Sequence, residues 1–104
     1  MSPAVSAVVD AARDLAWRPT ANTANAVGYA GRKEAHAALI AALEAMGRVR
    51  VREPELVYLL DAARRVARCS FSNRWGEPYY ERREAVYQLR GCLDVWARSA
   101  GIVP

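Results

Sequence analysis

The sequence predicts an all-α fold, a compact bundle of four helices, on three observations. Alanine, the strongest helix former, fills 21 of 104 positions. Pro3, Pro54 and Pro78 each stand at the head of a segment whose apolar residues recur at i+3/i+4 spacing. Proline favours that place because its φ is already helical and its missing N–H would have no intrahelical partner there. Strict alternation of polar and apolar residues, the strand period, occurs only at Arg48–Arg52.

Ser2 reads as an N-cap and Pro3 as the first residue of a helix over about 3–17. Val5, Val8, Val9, Ala12, Leu15 and Ala16 make its apolar face, with Ser6, Asp10, Arg13 and Asp14 opposite. Pro19 ends it, since a residue preceding proline is steered out of the α region. Residues 18–23 form a polar connector in which Thr20, Asn22 and Thr23 are candidate caps. A second helix over about 23–46 is closed by Gly47. Gly28 and Gly31 each cost it about 1 kcal/mol relative to alanine. Two readings follow. Either the helix is continuous and the stripe Ala24, Gly28, Gly31, Ala35, Ala38 and Ala42 admits another backbone at close range, or 23–30 is a loop and the helix starts near Gly31. The continuous helix is adopted, with Leu39, Ile40, Leu43 and Met46 as a separate apolar edge.

The alternating segment 48–52 is either an extended connector or an edge that pairs with the same segment of a second copy. The connector is adopted, because no other segment alternates. A third helix, about 54–69, buries Leu56, Leu59, Leu60, Ala63, Val66, Ala67 and Ser70, with Glu53 and Glu55 at its positive end. After a loop from Phe71 to Glu77, a fourth helix over about 78–99 carries the apolar stripe Tyr79, Val86, Leu89, Leu93 and Trp96. Residues 1–104 are read as a single helical domain. An antiparallel hairpin of the last two helices, turning near Arg74, sets Cys92 level with Leu56. Cys69 is then about 20 Å away at 1.5 Å per residue, too far for a disulfide. Two free thiols suit a reducing, cytoplasmic compartment. No run approaches the ~18 apolar residues of a membrane span, and Met1–Leu15 carries Asp10 and Asp14 without a basic start, unlike a secretory signal.

The net charge of +4, with 25% charged and 9% aromatic residues, excludes a disordered tail, a collagen-like chain and a disulfide-stapled mini-protein. Its distribution is informative. Residues 1–47 and 75–104 are each neutral, and the whole excess lies in 48–74, where seven arginines face three acids. That segment holds two basic groups, Arg48, Arg50 and Arg52 on the alternating stretch and Arg64, Arg65 and Arg68 on the third helix. Both are candidate phosphate contacts of a nucleic-acid-binding surface. A solvated helix face, with Asp61 reaching Arg64 and Arg65, is the other reading and the one preferred. The connectors are too long for a helix-turn-helix motif.

No constellation for catalysis emerges. His36, the only histidine, follows Arg32 by one turn and reads as a surface or boundary residue. Glu77, Glu81 and Glu84 alternate with Arg82 and Arg83 and read as a salt-bridged surface. The cysteines match no metal-ligand spacing, and no glycine-rich phosphate loop occurs. No enzymatic activity, cofactor or metal is expected.

Aromatic residues cluster at Phe71, Trp75, Tyr79 and Tyr80, among Arg68, Arg74, Arg82 and Arg83. Aromatic side chains and arginine together are the composition of protein-contact hot spots. Arg74, Trp75, Tyr79, Tyr80, Arg82 and Arg83 are the candidate protein-binding residues, while Phe71 is assigned to the core. The expected function is therefore a small, non-catalytic binding or adaptor protein with a protein partner, a second copy of itself included. Nucleic-acid binding through Arg48–Arg74 is the alternative. The preference for arginine (14 against one lysine) and alanine resembles chains from GC-rich genomes such as actinobacteria and their phages, which implies a phage-encoded or accessory role.

Overall fold

The computed structural model describes residues 2–18, 26–71 and 76–101. They form four helices, α1 (Pro3–Ala16), α2 (Ala26–Met46), α3 (Pro54–Arg68) and α4 (Glu77–Ser99). Among the described residues there is no strand. Arg74, Trp75, the caps at 20–23 and the start of the second helix at 23–25 lie outside the described residues. Within them α2 runs unbroken from Ala26 through Gly31.

The ends follow from local chemistry. Ser2 Oγ accepts the Val5 N–H at 3.3 Å, and Pro3 stands at the first helical position, so α1 starts as its sequence dictates. Pro54 does the same for α3 behind Glu53. α4 begins one residue earlier than expected, at Glu77, placing Pro78 second in the helix. Gly47, at φ 61°, closes α2 in the left-handed conformation. α3 stops at Arg68 because Cys69 turns extended, with ψ 142°. Ser70 therefore leaves the helix and is exposed, not buried as expected.

α1 packs chiefly on α2 and α3 on α4; α1 also meets α4, and α2 meets α3. One cluster joins all four helices: Val5, Val8, Val9, Ala12 and Leu15 from α1, Ala35, Leu39 and Met46 from α2, Leu56, Leu59, Leu60 and Val66 from α3, and Val86, Leu89, Leu93 and Trp96 from α4. The described side chains of α2, those of 30–46, contribute Ala35, Leu39 and Met46. Its outward side, Ala30, Ala37, Ala38, Ala41 and Ala45, is exposed. The described part of the small-residue stripe is divided between core and solvent, with Ala35 buried, Gly31 and Ala42 half-buried and Ala38 exposed. At Gly31 the covering group is the Arg18 guanidinium, 2.9 Å from where a Cβ would sit, and not a backbone.

The segment 48–53 is an irregular connector whose alternation has an intrachain cause. Val49 and Val51 tuck against the core, while Arg48, Arg50 and Arg52 face solvent. The α1 C-terminus is held from across the fold, where Arg90 of α4 donates to the Ala16 carbonyl and, at 3.2 Å, to the Arg18 carbonyl. Helix-terminal carbonyls have no intrahelical donor, so this guanidinium satisfies groups that would otherwise depend on water. Both cysteines are free thiols, with the thiol pKa of each raised first by burial. Among the described residues no helix is long and apolar enough to cross a membrane.

Candidate functional site

Among the described residues three polar side chains are buried in the apolar interior: Arg32 at 7%, His36 at 5% and Arg82 at 8% exposure. Arg32 and His36 lie one turn apart on α2, in line with the buried Ala35 and Leu39. Arg82 occupies the corresponding inward place on α4, between Tyr79 and Val86. The Arg82 Nε–H donates to His36 Nδ1 at 3.1 Å. Its guanidinium carbon lies 4.9 Å from the Phe71 ring centre, and the His36 and Phe71 rings are 5.6 Å apart. Phe71 is thus half-buried and roofs this cluster, where the sequence placed it in the core. Among the described residues no carboxylate pairs with Arg32 or Arg82.

The electrostatics follow from that arrangement. Burial first, and the Arg82 guanidinium second, lower the His36 pKa to about 4, against a hydrogen bond to the Cys69 backbone that works the other way. The imidazole is neutral at physiological pH and accepts through Nδ1. Burial, with Arg32 adding to it, pushes Arg82 below the ordinary arginine range. The expectations that His36 is a surface or boundary residue and that Arg82 is a surface residue are both corrected. A neutral histidine can sit inside because it accepts one hydrogen bond, here from Arg82, and donates another, here to the Cys69 backbone.

Beside this cluster opens a cleft of about 470 Å³ between the end of α3 and the start of α4, lined by Arg65, Arg68, Cys69, Ser70, Pro78 and Glu81. Arg65 also donates to the Gln88 side chain of α4, and Arg64 pairs with Asp61 at 3.3 Å, so Asp61 reaches one of its two expected partners. The start of α4 carries no side-chain cap. Its N-cap is Gly76 at φ 151°, a conformation costly for residues with a Cβ.

On the outward side of α4, Tyr80 (48% exposed) and Tyr87 (44%) lie two turns apart, with Val95 beyond them. Arg83 Nε donates to the Tyr87 hydroxyl at 3.0 Å, and the Arg83 and Arg90 guanidinium carbons lie 5.3 and 5.2 Å from the Tyr87 ring centre. The expected salt-bridged surface of α4 is replaced among the described residues by this stacked arrangement and by the inward turn of Arg82.

The candidate protein-binding set therefore divides. Tyr80 and Arg83 face outward, Tyr79 and Arg82 are buried, and Arg74 and Trp75 lie outside the described residues. The candidate nucleic-acid set divides as well. Arg48, Arg50 and Arg52 precede α3, and Arg64, Arg65 and Arg68 lie in its last turns, about 20 Å away at 1.5 Å per residue. Sequence reasoning passed over Tyr87, Arg90 and Arg32 as site residues, although Arg32 falls on the i+3/i+4 line of the buried face of α2. No group of acids, histidines and cysteines among the described residues could hold a metal ion. No protein-family model, curated protein or solved structure matches this chain.

Proposed function

We propose that this chain is a small, non-catalytic helical binding protein that acts by contact with another protein through the outward face of α4. The observation that carries the reading is the exposed Tyr80 beside the hydrogen-bonded pair of Arg83 and Tyr87 on one side of α4. Two tyrosines are about half exposed, and the ring of one, Tyr87, has the Arg83 and Arg90 guanidinium carbons within 5.3 Å of its centre. Tyrosine and arginine supply large contact area at low conformational cost, and side chains already ordered in the free protein lose less entropy on binding. Arg90, which anchors α1, also stacks on Tyr87, so the face rests on a rigid support. Protein contact is preferred to nucleic-acid binding because the two basic groups stand at opposite ends of α3.

The test is affinity capture from the native host's lysate. Bait proteins would be the wild type, the Tyr80→Ala/Tyr87→Ala double variant and Tyr58→Ala, which alters an exposed tyrosine on α3. A partner retained by the wild type and Tyr58→Ala but lost from the double variant supports the reading. Equal capture by all three proteins overturns it, as does no saturable partner for any of them.

A further inference from the structure

Arg32 and Arg82 are more than nine-tenths buried, and no carboxylate among the described residues pairs with either. Buried charges are ordinarily paired, because the low-dielectric interior penalises an isolated ion. Next to them, Arg65 and Arg68 are exposed and line the same cleft as the Ser70 hydroxyl. Pro78 and Glu81 bring the first turn of α4 to the opposite wall. A helix start presents free N–H groups and the positive end of the helix dipole. Among the described residues Glu81 is the carboxylate in the lining, and the Cys69 backbone joins this wall to His36. Arg65 and Arg68 thus share the cleft with Glu81 and an uncapped helix start, while Arg82 lies behind its Cys69 wall with Arg32 next to it.

We propose that this cleft binds a small oxyanion of the phosphate class, gripped by Arg65 and Arg68 at its mouth, with Arg32 and Arg82 supplying positive potential from behind. The volume of about 470 Å³ lies within the range of about 300–1,000 Å³ usual for small-molecule sites, so a phosphate carrying an organic substituent is accommodated. Arginine suits the task because its planar fork bonds two phosphate oxygens at once. Glu81 disfavours an anion at its own end and confines the ligand to the Arg65–Arg68 side. The site is separate from the outward face of α4 and does not rest on the function proposed above.

His36 is the only histidine, so its ring gives a single assignable NMR signal beside the cleft. The experiment titrates inorganic phosphate at pH 7 and follows His36 together with the backbone signals of Cys69, Ser70 and Glu81. Parallel titrations use sodium chloride at matched ionic strength and O-phosphoserine, which separates free phosphate from a phosphorylated side chain. Saturable shifts at millimolar phosphate or phosphoserine, absent in chloride, are expected. Half-saturation should rise at least tenfold in Arg65→Ala/Arg68→Ala and stay unchanged in Arg13→Ala/Arg98→Ala, which removes the same charge from exposed sites elsewhere. Shifts that follow ionic strength alone overturn the proposal, as does equal half-saturation in the two double variants. Tyr80→Ala/Tyr87→Ala should bind phosphate like the wild type, so this proposal and the protein-contact reading fail separately.

Discussion

The buried His36 makes the fold sensitive to mild acid, and the effect can be sized from its surroundings. The imidazole faces Arg82 from α4, and the Cys69 backbone and Phe71 ring after α3. Burial first, and the Arg82 guanidinium second, oppose a second proton, so its pKa falls from 6.5 to about 4. The unfolded chain therefore takes up the proton first as pH falls. No penalty exists above about pH 6.5; it grows through the interval and is complete near pH 4, where it reaches about 3 kcal/mol. That is a large share of the 5–15 kcal/mol that typically holds a small domain together. Urea unfolding of the wild type and His36→Gln between pH 7 and pH 4 isolates the effect from carboxylate titration. Glutamine keeps an acceptor for Arg82 and a donor for the Cys69 carbonyl but cannot ionise. The wild type should lose about 3 kcal/mol relative to the variant over this range. A difference in stability that stays constant within about 0.5 kcal/mol would refute the burial argument.

Three other outcomes follow from packing. Leu59, with no exposed surface, joins the contact between α3 and α4, and Leu59→Ala should cost about 2–5 kcal/mol in urea denaturation. Gly31→Ala should be neutral or stabilising by up to about 1 kcal/mol in the same assay. The new methyl meets only the movable end of Arg18, while the helix gains propensity. Arg90→Ala removes the donors at the end of α1, and amide exchange in its last turn should accelerate at least tenfold while the centre of α3 is unchanged.

The helices were legible because their determinants are local. Ser2-Pro3, Pro54 and the i+3/i+4 lines Val5–Val8–Val9–Ala12 and Val86–Leu89–Leu93–Trp96 state both the boundaries and the inner faces. The site was legible only in part, because its key contacts join residues 46 positions apart. Arg82 fills the gap between Tyr79 and Val86 on the inner line of α4, and Arg32 and His36 extend the inner line of α2 through Ala35 and Leu39. A charged residue on a buried line reads as an interruption until the facing helix supplies its mirror, and only the tertiary fold shows that both interruptions meet. The alternation at 48–52, read as an extended connector, is one, although its cause is tertiary as well. The period reflected two valines reaching a core made by other segments, not strand pairing.

The pairing of α1 with α2 and of α3 with α4 divides the molecule into two helical hairpins joined by residues 47–53. Most contacts are thus made between neighbours in sequence, a low-contact-order topology that folds rapidly. The join carries Val49 and Val51 but no helix or ladder, so cutting it removes few interactions. Fragments 1–48 and 49–104 present complementary apolar faces, and mixing them should restore the helical circular-dichroism signal of the intact chain. The bundle is in this sense a non-covalent dimer of hairpins whose tether sets their local concentration.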